Sequence, residues 1–109
     1  MFVFGTEQFV AYPTKAPSGI QTVLNYGKHL ELSIVLNEMS YGGNAGFFEI
    51  MLTANGEPYP MKGITNDDGV KGFLTHKQVE VIISKVYFAT GFEPEQKRKS
   101  YAYDLDYLH

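Results

Sequence analysis

The chain has 109 residues, a formal charge of −3 and no cysteine. Hydrophobic residues make up 44% and charged residues 19%. That is enough apolar material for one packed domain over residues 1–109, and too little charge for a disordered chain. Without cysteine a disulfide framework, a zinc ribbon and a thiolate nucleophile are excluded, and the weak acidity disfavours a protein that coats DNA or RNA.

The first residues, Met1-Phe2-Val3-Phe4-Gly5, carry no cationic region, and their apolar run breaks at Gly5 and Thr6. This is not the pattern of a secretory signal. No apolar stretch approaches the roughly 20 residues of a spanning helix. A cytoplasmic protein without a membrane partner is expected.

Phe2, Val3, Phe4, Phe9 and Val10 suit a strand over about 2–11. Pro13 and Pro17 punctuate a turn. Ser18 and Gln21 then match a capping box, with Ile20, Val23 and Leu24 at helical spacing and Gly27 placed to close a helix. The expectation is a short helix over about 19–26, although a strand would also accept Thr22 and Val23. Leu30, Leu32, Ile34 and Leu36 alternate with Glu31, Ser33, Val35 and Asn37, which predicts a strand. Tyr41 to Gly46 reads as a flexible connection. Phe48, Ile50 and Leu52 recur with the same period of two, and Asn55-Gly56 signals a tight hairpin. The returning arm holds Pro58 and Pro60, which cannot donate ladder hydrogen bonds, so it is an edge strand or an irregular cover.

The polar turn Asn66-Asp67-Asp68-Gly69 leads to Val70-Lys71-Gly72-Phe73-Leu74. Thr75 and Gln78 form a second capping box, and Val79, Ile82, Ile83 and Val86 an apolar stripe, predicting a helix over about 76–90 closed by Gly91. After a charged loop from Glu93 to Lys99, Tyr101, Tyr103, Leu105 and Tyr107 alternate as a last strand. The sum is an α+β domain: a small antiparallel sheet with two helices packed on one face, in the split βαβ (ferredoxin-like) order.

Few residues carry chemistry. Aligning Gly69 with the invariant glycine of a calcium loop puts Ile64 and Thr75 where the two strongest acidic ligands belong, so the turn is a solvated one. Gly42, Gly43 and Gly46 open into strand-like sequence, whereas a phosphate cradle needs a helix there. His29, His76 and His109 form no metal-ligand pair, and the serines stand in no nucleophile context. The acid pairs Asp67/Asp68 and Asp104/Asp106 read as solvated. No cofactor, metal or catalytic residue is assigned. Lys71-Gly72-Phe73 matches the opening of the central motif of RNA-recognition modules, but Leu74-Thr75-His76 departs from what should follow.

Eight tyrosines and eight phenylalanines exceed what so small a core needs. Tyrosine gives large amphipathic contact area at low entropic cost. The leading expectation is a non-enzymatic binding module, an adaptor or an inhibitor of the kind phages and mobile elements carry against host proteins. Its partner is another protein or a second copy of itself, and its contact residues are Tyr41, Asn44, Val81, Phe88, Tyr101, Tyr103 and Tyr107. The alternative is a single-stranded nucleic-acid binder using Lys97, Arg98, Lys99, Tyr101 and Tyr103. A third is a small enzyme or subunit whose site is completed across a homodimer interface.

Overall fold

The computed structural model describes residues 12–13, 19–27, 29–37 and 40–96. The strands expected over 2–11 and 101–107 lie outside the described residues. The described chain is a mostly antiparallel sheet with a single helix.

Its centre is a meander of three long strands. Strand β2 (Gly19–Tyr26) pairs along its whole length with β3 (Leu30–Asn37), and β3 pairs with β4 (Phe48–Ala54). Short segments complete the two edges. Beside β2 lie β1 (Tyr12–Pro13) and β7 (Pro94–Gln96); beside β4 lie β5 (Glu57–Pro58) and β6 (Val70–Leu74). The turn from β4 to β5 is the two-residue type its sequence demands, with Asn55 and Gly56 both at positive φ (54° and 82°). The returning arm is a two-residue edge strand with Glu57 to Pro60 exposed.

Helix α1 (His76–Thr90) carries the chain from the β6 edge to the β7 edge. Its start is fixed by a reciprocal cap: Gln78 N–H donates to Thr75 Oγ1 at 3.2 Å, and Thr75 N–H donates to Gln78 Oε1 at 2.8 Å. Gly91, left-handed at φ 77°, ends it. The predicted stripe Val79, Ile82, Ile83 and Val86 is buried against one face of the sheet, where Leu24, Leu32, Ile34, Ile50 and Leu52 are also buried. The strand period makes that face continuous, because Leu24, Leu32 and Leu52 stand in one cross-strand row and Ile34 and Ile50 in another. Each such side chain contributes about 1.5–3 kcal/mol through its burial.

Tyr26 is the polar member of this core. Its hydroxyl donates to the Ile83 carbonyl at 2.9 Å, and burial pushes its phenol above the ordinary tyrosine value. The opposite face of the sheet is mixed, and there Gln21 Nε2 donates to Ser33 Oγ at 3.0 Å. No helix among the described residues is long and apolar enough to cross a membrane.

The expected pair of helices on one face, and with it the split βαβ order, is overturned. Residues 19–26 form a strand. The spacing of Ile20, Val23 and Leu24 fits both periods, but Thr22, Leu24 and Tyr26 turn to the core as a strand face, and hydrogen-bonded neighbours flank β2 on both sides. Gly27 is left-handed, as a helix cap would be, but serves the turn between β2 and β3. The charged segment expected as a loop after α1 contains the short β7 instead.

Candidate functional site

The N-terminal end of α1 lies over the start of β4, with the Phe48 and His76 rings 6.2 Å apart. At this end the register between β4 and β6 shifts. Phe48 pairs with Leu74 but Ile50 with Lys71, so three residue steps on β6 match two on β4. The extra residue makes a bulge, and Phe73 within it takes φ 57°. A left-handed conformation costs an L-residue roughly 1–2 kcal/mol, and a bulky aromatic seldom takes it.

The connection from β3 to β4 holds the bulge in place. A Cβ on Gly72 would come within 2.4 Å of Tyr41 Cβ, so only glycine lets the two segments approach this closely. Phe73 N–H donates to the Tyr41 carbonyl at 3.2 Å, and Tyr41 N–H donates to Glu49 Oε1 at 3.2 Å. The connection expected to be flexible is internally bonded. Ser40 N–H donates to Asn37 Oδ1 at 2.9 Å and Asn37 N–H to Ser40 Oγ at 3.0 Å. A 3-10 turn follows at Gly43–Ala45, which contains Asn44.

The result is an exposed aromatic corner. Phe73 is 64% and Tyr41 62% exposed, and the half-buried Phe47 ring lies 6.4 Å from that of Phe73. A second apolar group stands on the outer side of α1. Val81 and Phe88, two turns apart and therefore on one face, are 45% and 79% exposed. They line a shallow groove with Lys77, Glu80, Ser84 and Lys85. Polar groups there are engaged locally: His76 Nδ1 lies 3.0 Å from Glu80 Oε1, and Lys85 Nζ donates to the Gly63 carbonyl at 3.2 Å. Val81 also borders a small depression with Lys71 and Leu74 of β6.

Of the residues expected to meet a partner, Tyr41 and Asn44 fall in the loop at the corner, and Val81 and Phe88 together on the helix. Tyr101, Tyr103 and Tyr107, and the basic residues Lys97, Arg98 and Lys99, lie outside the described residues. Phe73 and Phe47 were not among the expected contacts. The sequence around Phe73 announces neither its exposure nor its positive φ, since both follow from contacts with the distant Tyr41. Among the described residues no three acidic or histidine side chains are grouped to hold a metal.

The chain matches no protein-family model, no curated protein and no solved structure with which it was compared.

Proposed function

We propose that this chain is a non-enzymatic protein-binding module of the adaptor or inhibitor kind, engaging its partner through the aromatic corner of Tyr41, Phe47 and Phe73. One observation carries this reading. Phe73 sits in a left-handed conformation and exposes most of its ring. The fold thus bears the cost of the conformation without gaining the burial that would offset it. A glycine at the bulge would relieve the strain, so the phenylalanine is explained by what its ring meets outside the chain.

The partner is a folded protein offering an apolar recess. Exposed aromatic rings with few rotatable bonds suit such a recess, because little conformational freedom is lost on contact. The chain's charge of −3 fits a protein partner better than a phosphate backbone.

The test is capture of partners from native cell lysate by tagged full-length protein, with and without nuclease. A stoichiometric protein that survives nuclease and is lost with Phe73→Gly is the expected result. Retention of that protein by Phe73→Gly would remove the assignment. Loss of all captured material after nuclease would transfer the function to nucleic acid and to Lys97, Arg98 and Lys99.

A further inference from the structure

At the C-terminal end of α1 the helix, the turn between β2 and β3 and the segments flanking the turn between β4 and β5 border an open cleft of about 540 Å³. Tyr26, Leu30, Ala54, Met61, Ala89 and Phe92 supply apolar lining. We propose that this cleft binds a small, uncharged aromatic molecule bearing one hydrogen-bonding group.

The volume falls within the roughly 300–1,000 Å³ of small-molecule sites. Its walls are set by bonds of the fold itself. Asn55 N–H donates to the His29 carbonyl at 3.0 Å, tying the two turns together, and Tyr59 N–H donates to the Leu52 carbonyl at 2.9 Å. The Phe92 ring rests on Gly27, where a Cβ would lie 3.1 Å from two ring carbons. Phe92 is held there by its own N–H, which donates to Thr90 Oγ1 at 3.1 Å.

The lining also selects the ligand's polarity. The described lining residues are apolar or neutral side chains beside His29, and such walls favour an uncharged ligand, because burying a charge against apolar surface carries a high desolvation cost. Two of the polar lining groups are already used: the Tyr26 hydroxyl donates to the Ile83 carbonyl, and the Thr90 hydroxyl to the Val86 carbonyl at 2.8 Å. The His29 imidazole and the Tyr59 hydroxyl have no hydrogen-bond partner among the described residues. An apolar cleft with one or two uncommitted polar side chains is the usual form of a small-molecule site. His29 is the group assigned to the ligand's hydroxyl.

The probe is 4-phenylphenol, titrated into the full-length protein and followed by its fluorescence, with its O-methyl ether as the control that cannot donate. Saturable one-to-one binding is expected. Ala89→Phe, at an exposed helix position that tolerates a larger residue, fills the cleft and should weaken binding at least about tenfold with an unchanged circular dichroism spectrum. His29→Ala, in an exposed turn, should weaken 4-phenylphenol about fivefold and leave the ether unchanged. Absence of saturable binding at about 0.5 mM probe, or equal affinity in Ala89→Phe, would overturn the site. An equal loss for both probes in His29→Ala would overturn the role given to His29. The aromatic corner lies at the other end of α1, so failure here leaves the proposed partner surface standing, and the reverse.

Discussion

The two ends of α1 face loops of the same sheet and meet them in different ways. At the N-terminal end the chain fills its own space: the Tyr41 loop lies directly on Gly72, and the contact is so close that Phe73 is left strained and turned outward. At the C-terminal end the two turns are bonded to each other, yet a cleft of about 540 Å³ stays open between Ala54, Ala89 and Phe92. Each end is tied by backbone hydrogen bonds and a close glycine contact. They differ in what they offer a partner. One presents rings to be inserted elsewhere, and the other a recess to be filled.

The comparison is broken most severely from the middle. Leu52 is fully buried in the row shared with Leu24 and Leu32, beneath both ends alike. Leu52→Ala should cost about 2–5 kcal/mol in denaturant unfolding and weaken both ends together. A smaller loss confined to one end would show that the ends are supported separately.

Gly72→Ala acts on the N-terminal end alone. The added methyl would meet Tyr41 Cβ at 2.4 Å, so the loop must move, at a cost of about 1–3 kcal/mol. Faster exchange of the Phe73 and Tyr41 amides should accompany it, with the cleft around Phe92 unchanged. Unaltered exchange would mean that Gly72 does not hold the loop in place.

Tyr26→Phe probes the C-terminal half, where one hydroxyl links β2 to the helix at 2.9 Å. Its removal should cost about 0.5–1.5 kcal/mol at neutral pH. The pH dependence has a definite sign. Burial raises the phenol in the folded chain, so above about pH 10 the unfolded chain gives up this proton first. Stability is therefore full below that pH and falls as pH rises through it. In Tyr26→Phe that part of the alkaline loss should vanish, and an identical alkaline slope in both proteins would contradict the assignment.

Much of the frame was legible in the residues because it depends on local pattern. The stripe Val79, Ile82, Ile83 and Val86 between Thr75-Gln78 and Gly91 places α1 over 76–90, where it is found. The alternations from Leu30 and from Phe48 place two of the long strands, and Asn55-Gly56 the turn after the second. Residues 19–26 misled because Ile20, Val23 and Leu24 satisfy both periods. Pairing with residues distant in the chain decides between them, and no local signal reports it. The corner was half legible. Tyr41 stood out as a loop tyrosine, whereas Phe73 appeared only within Lys71-Gly72-Phe73 on the way to the helix, since its backbone angle is imposed by a loop about thirty residues away. The cleft could not be read at all, because it is the space left between segments that meet only in the folded chain.

The most direct measurement is the unfolding free energy of Phe73→Gly beside the wild type. If Phe73 is kept for recognition, glycine relieves the left-handed strain and the fold loses nothing, gaining between zero and about 1 kcal/mol while partner capture disappears. A loss of about 2 kcal/mol or more would show that the ring supports the fold, and would contradict the account.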